Sequence, residues 1–258
     1  MKKGQVSIFI ILGIVLVFLI ALFILLRTGI ILNNIIERKE INPDSFLEVC
    51  LKNEIKKTSE KISLQGGYIS NALNKTFKID VDDRENDIAY LCYNQNYYLP
   101  CINQEPVLMS HLKKELENEL KREVENCFNE LKLNLENEGF SVNAVYNNFE
   151  INLEPKKIIV EINANLRIEK YKEISEQKNF KIIVADNLYD NAIVVQEIVS
   201  QESRFCNFDI LGFMLLYPEF NIDKIRTSDL ITIYSVEKKE SGEKFRFAVR
   251  SCVIPPGF

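Results

Sequence analysis

The sequence predicts an α+β chain with an N-terminal transmembrane helix, two helices beyond it, and an antiparallel sheet completed by a C-terminal helix and hairpin. Three observations carry that prediction. Gly4 to Leu26 is uncharged and almost wholly apolar. Residues 44–64 and 106–138 repeat apolar side chains at spacings of three and four. From Phe140 onward the repeat falls to two, the period of half-buried strands.

The first element is the apolar run. About 20 apolar residues in helix are needed to cross the ~30 Å core of a bilayer. The run has that length, and Arg27 closes it. It exceeds the 7–15 residues of a signal-peptide core, and no Ala-x-Ala-like cleavage site follows it. The expected layout is a basic stub over 1–4, a membrane helix over 5–27, and a helical extension or linker over 28–42. Ile30, Ile31, Leu32, Ile35 and Ile36 give that extension an apolar stripe.

Lys2 and Lys3 lie on one side of the run, and Arg27, Arg38 and Lys39 on the other, so charge bias hardly orients it. Cysteine usage does. Cys50, Cys92, Cys101, Cys127, Cys206 and Cys252 all follow the run, an even set that fits an oxidising compartment. The expected orientation is N-terminus inside and the rest outside. The competing account is six reduced core thiols.

The next region, 43–138, is expected to be helical with a small cysteine hairpin. Asp44 and Ser45 are candidate N-caps. Leu47, Leu51, Ile55 and Ile62 line one face, and Gln65-Gly66-Gly67 ends the helix. Residues 88–93 and 96–101 read as short strands, with Cys92 and Cys101 near enough for a local bridge. Tyr90, Tyr93, Tyr97 and Tyr98 form either a contact surface or cross-strand packing. Asn74-Lys75-Thr76 is a glycosylation sequon. Leu112, Leu116, Leu120, Val124, Phe128, Leu131 and Leu135 stripe the long helix, and Gly139 ends it. Cys127 and Cys50 sit at the edges of their stripes, so a Cys50–Cys127 bridge would staple the two helices.

The last region, 139–258, is expected to be β-rich. Residues 141–146, 149–153 and 157–168 alternate apolar and polar side chains, with turns at Asn147-Asn148 and Glu154-Pro155-Lys156. Residues 170–173 and 179–185 read as further strands around Glu176-Gln177. A helix over 188–202 follows, and then a hairpin of 230–236 with 245–252. Cys206 and Cys252 would join that hairpin to residues 208–216. Six cysteines allow 15 connectivities, and these three pairs are the first choice among them.

The search for chemistry is thin. His111 is the only histidine and has no Cys or carboxylate at metal-ligand spacing. No Cys-x-x-Cys, His-Glu-x-x-His, Gly-x-Ser-x-Gly or phosphate loop occurs. Glu219, Asp223 and Asp229 could gather as an acidic pocket. Arg246 and Arg250 share one strand face and could bind an anion, although an exposed face with weak ion pairs accounts for them as well. The chain is acidic, 37 Asp and Glu against 32 Lys and Arg, and lacks the basic stripe that nucleic-acid binding needs.

Lys2-Lys3-Gly4-Gln5-Val6-Ser7 followed by an apolar run resembles the class III signal sequences of archaeal pilin-like proteins. The resemblance implies a dedicated membrane peptidase cutting between Gly4 and Gln5. That family's motif continues Gln-x-Ser-x-Glu; Gln5 and Ser7 match it, and Phe9 departs from its acidic fifth position. The family's carboxylate is thought to neutralise a neighbouring subunit's new amino group, so Phe9 puts filament assembly in doubt. The layout is also similar to archaeal membrane-anchored proteins that begin Gly-Gln-Val-Ser/Thr-Ile-Phe, for which membership implies no activity.

These readings together lead to an expected non-enzymatic surface protein, single-pass and outward-facing, with a structural, adhesive or assembly role and no cofactor or metal. Its expected partners are the lipid bilayer, the peptidase, and a second copy or a surface-complex subunit. The alternative is a membrane-tethered accessory subunit of a secretion complex, or an ectoenzyme with its site in 140–258.

Overall fold

The computed structural model describes residues 12–24, 42–70, 76–78, 85–96, 98–171, 173–227 and 231–252. Residues 1–42 and Pro43–Phe258 are separate units. In the first, residues 12–24 form helix α1, with every side chain exposed. Among the described residues, no helix is long and apolar enough to cross a membrane. The expectation of a transmembrane helix over 5–27 is corrected accordingly. The remainder of that span, the stub over 1–4 and the extension over 28–41 lie outside the described residues.

The second unit is α+β. Helix α2 (Pro43–Leu64) buries Leu47, Leu51, Ile55 and Ile62. Helix α3 (Leu108–Asn137) buries the whole stripe from Leu112 to Leu135 and packs along α2. Two hydrogen bonds close the end of α2, from Gln65 N–H to the Lys61 carbonyl and from Gly67 N–H to the Ile62 carbonyl. Gly66 has φ +77, and a Cβ there would lie 2.9 Å from the Ala89 carbonyl oxygen. Gly139, with φ +84, ends α3 in open space. Gly66→Ala is therefore expected to cost about 2 kcal/mol or more in urea unfolding, and Gly139→Ala about 1 kcal/mol. Equal costs would show that the contact with Ala89 carries no weight.

Three sheets follow. Strands β1 (Thr76–Lys78) and β2 (Glu85–Asp87) pair as a small antiparallel ribbon. Strands β3 (Tyr90–Tyr93) and β4 (Ile102–Asn103) belong to a five-stranded sheet with β8 (Phe220–Arg226), β9 (Thr232–Lys238) and β10 (Lys244–Arg250), in the order β4-β3-β10-β9-β8. The long strands β5 (Ser141–Glu154), β6 (Lys157–Lys170) and β7 (Glu173–Ala185) form an antiparallel meander.

The single antiparallel sheet is thus replaced by several, and β10 pairs with β3 in parallel. The three central strands β3, β10 and β9 are largely buried, while β4 and the end of β8 are exposed. Tyr234 stacks on Phe247 with ring centroids 5.4 Å apart. Ile88, Tyr90, Ile231, Ile233 and Ala248 form a further cluster.

Several boundaries move for local reasons. Asn147 is no turn: it is the extra residue of a β-bulge, so 141–154 is one strand. Glu176-Gln177 lies inside β7, and the chain reverses at Tyr171, φ 49. Residue 96 and residues 98–101 form no strand; Cys92 instead pairs with Asn103. Helix α4 (Leu188–Phe205) continues past 202 and stops at Cys206, which is left-handed with φ 55. A short helix, α5 (Ile210–Leu216), and strand β8 were not expected.

The cysteines form three pairs, Cys50–Cys127, Cys92–Cys101 and Cys206–Cys252, with Cα–Cα separations of 6.0, 5.2 and 5.5 Å. None is free. They join α2 to α3, the two ends of the loop after β3, and the end of α4 to the segment after β10.

Candidate functional site

The chain gathers its polar side chains of both signs in a cleft of about 500 Å³. Three elements build it. Helix α2 supplies Lys56, Ser59, Glu60 and Ser63 from the polar side of its stripe; the start of α4 supplies Asp186 and Asn191; and the β9–β10 turn with the first residues of β10 supplies Glu243, Lys244 and Arg246. The turn residue Gly242, φ +72, lets Lys238-Lys-Glu-Ser-Gly reverse tightly beside α4.

Asp186 is the centre of the cleft and is buried. Its Oδ1 accepts from Ser59 Oγ at 2.9 Å and from Leu188 N–H at 2.8 Å, an Asx turn that leads into α4 and ties it to α2. Glu243 Oε2 accepts from Asn187 N–H at 2.8 Å and from Asn187 Nδ2 at 2.7 Å. Lys56 Nζ stands 3.5 Å from Glu243 Oε1. Two carboxylates therefore already fill the electropositive start of α4. Asn191, also buried, donates to the Glu243 carbonyl at 3.1 Å, and its Oδ1 has no hydrogen-bond partner.

Burial pushes the Asp186 carboxyl from its ordinary 3.8 up to about 6; the Leu188 N–H opposes this and the Glu243 charge adds to it. The folded chain thus holds this proton more tightly than the unfolded chain between about pH 4 and 6. Stability falls as pH rises through that window and then levels off. Asp186→Asn keeps an Oδ1 for both donors and removes the charge. It is expected to match the parent near pH 4 and to exceed it above pH 6, by on the order of 3 kcal/mol from the 3.8-to-6 shift. A difference that does not change with pH, read by urea unfolding from pH 4 to 7.5, would remove Asp186 as its source.

A second buried knot was missed by sequence reasoning. Glu202, buried at the end of α4, accepts from the Tyr234 hydroxyl. Lys224 Nζ lies 3.5 Å from the same carboxylate, 3.3 Å from Asn207 Oδ1, and 5.1 Å above the Tyr234 ring. Burial, with the Glu202 charge and hydrogen bond, holds the Tyr234 hydroxyl well above the usual phenol range. The knot ties α4, β8 and β9 together beside Cys206–Cys252. Its only sequence signal was a Glu on the inward side of a helix.

The residues singled out earlier lie elsewhere. His111 Nε2 donates to the Gly67 carbonyl at 2.8 Å, and its ring packs on Tyr68 at 4.3 Å. Tyr68 in turn donates to Glu105. His111 is not a plain surface residue; it pins the loop after α2 to α3. Glu219 pairs with Lys238 at 3.8 Å, Asp223 is exposed on β8, and Asp229 lies outside the described residues. Arg246 and Arg250 do not share an open face: Ala248 between them is buried against β3, Arg246 lines the cleft, and Arg250 lies over the Tyr93 ring at 5.8 Å. Tyr90 and Tyr93 pack edge to face at 5.1 Å, while Tyr98 is exposed. Gly4, Gln5, Asn74 and Tyr97 lie outside the described residues. Among the described residues, no three His, Cys, Asp or Glu are arranged to hold a metal ion.

No protein-family model, characterised protein or solved structure matches the chain.

Proposed function

We propose that this chain is a non-catalytic extracytoplasmic surface protein with a structural, adhesive or assembly role, partnered with lipid through its apolar N-terminal segment. One observation carries the reading: three cysteine pairs at bonding distance with no cysteine left free. Such pairs persist in oxidising compartments and are rare in the reducing cytosol. The Gly4-Gln5 bond is the processing site under this reading, and Asn74 its glycosylation candidate. Intact cells treated with a membrane-impermeant amine reagent test it. Exposed lysines such as Lys178 and Lys181 are expected to be labelled, and mature protein is expected to begin at Gln5. Labelling only after lysis would contradict an outer-face location.

The cleft supports a second reading, an accessory subunit or ectoenzyme. A polar cavity with a carboxyl titrating near 6 is a common setting for proton transfer. A cell-surface activity that titrates near pH 6 and is lost in Asp186→Asn would favour it over the first.

A further inference from the structure

Helix α5 is anomalous. Its sequence, Ile-Leu-Gly-Phe-Met-Leu-Leu, has no polar side chain on any face, and none of its residues is buried. A surface helix normally turns a polar face outward. Here Leu211, Leu215 and Leu216 are 73%, 83% and 77% exposed, and Tyr217 follows them. The same helix covers the outer edge of the five-stranded sheet, where Ile222 N–H donates to Met214 Sδ at 3.4 Å. One hydrogen bond caps each end. Asp209 Oδ1 accepts from Gly212 N–H at 3.1 Å, and Tyr217 N–H donates to the Phe213 carbonyl at 2.9 Å.

We infer that α5 is a lipid-contact ridge, its leucines entering the surface of a bilayer with Tyr217 at the polar boundary. The inference rests on the proposed association of the apolar N-terminal segment with lipid. Two features select lipid as the occupant. Three leucines and a tyrosine fall far below the 20–30 residues a side of a stable protein interface, which argues against a second copy. Only fifteen residues, Arg27 to Ile41, separate the apolar run from the domain. Their contour is at most about 54 Å, so lipid bound by the run stays at high local concentration and a weak second contact suffices.

The chain contains no tryptophan, so Leu215→Trp gives a single fluorescent probe. The full-length variant is reconstituted into phosphatidylcholine vesicles with and without bromine on the acyl chains. Tyr171→Trp, in the β6–β7 turn, is the comparison. Leu215→Trp is expected to be blue-shifted and strongly quenched by brominated lipid, and Tyr171→Trp unaffected. Adding Leu211→Glu should abolish the quenching while far-ultraviolet dichroism stays unchanged. Protein that floats with vesicles yet shows no quenching at position 215 overturns the ridge alone. Protein that does not float overturns the lipid association beneath it. A blue shift without quenching, growing with protein concentration, overturns the ridge in favour of a second copy.

Discussion

The double variant Cys50→Ser/Cys127→Ser is expected to lose about 4 to 5 kcal/mol of unfolding free energy. The bridge spans 77 residues, and chain-entropy arithmetic for a loop of that length gives a loss of this size. The structural setting points the same way. Cys127 is buried between Val124 and Phe128 on the inward side of α3, and Cys50 stands opposite on α2. Without the bond, the α2–α3 layer rests on its leucine stripes alone. The Cys92–Cys101 bridge spans only 9 residues, so its removal is expected to cost about 2.5 kcal/mol. Urea unfolding of both double variants without reductant checks the ranking. A small domain holds about 5–15 kcal/mol in all, so the first loss should leave a marginal fold. Equal losses would mean that loop length does not govern their contribution.

Phe128→Ala is the second large effect, expected to cost about 3–5 kcal/mol. Phe128 is 2% exposed and reaches from α3 into the meander, with ring centroids 5.9 Å from both Phe180 on β7 and Tyr146 on β5. Its removal leaves a cavity where aromatic side chains from α3, β5 and β7 meet. Strands cannot close such a gap without moving the ladder that pairs β6 with both neighbours. Leu133→Ala, at an exposed position on the same helix, is the comparison and should change stability by less than about 0.5 kcal/mol. Chemical denaturation of the two variants distinguishes burial from helix propensity, since both lie in α3.

Periodicity revealed the long helices because each buries one continuous stripe. Leu47 to Ile62 and Leu112 to Leu135 are inward in the structure as their spacing implied. The strands were found but not their joints. Asn147-Asn148 has turn chemistry, yet a bulge tolerates the same residues, and pairing with Ala164 and Asn163 decides between them. The parallel pairing of β3 with β10 joins residues far apart in the chain, which no local pattern encodes. Helix α5 escaped notice because seven wholly apolar residues have no helical period. The cleft was equally invisible. Asp186, Asn191, Lys56 and Glu243 come from separate segments, and each alone reads as an ordinary polar residue. The apolar N-terminal run gave the strongest single signal, yet helix is described there only over 12–24.

The proposed location outside the cytosol rests on the three disulfides of this domain. Quantitative thiol alkylation of the protein taken from its own cells, quenched in acid without reductant and read by intact mass, tests it most directly. No alkylated cysteine is expected until reductant is added, and then six. Six alkylated cysteines before reduction would contradict it.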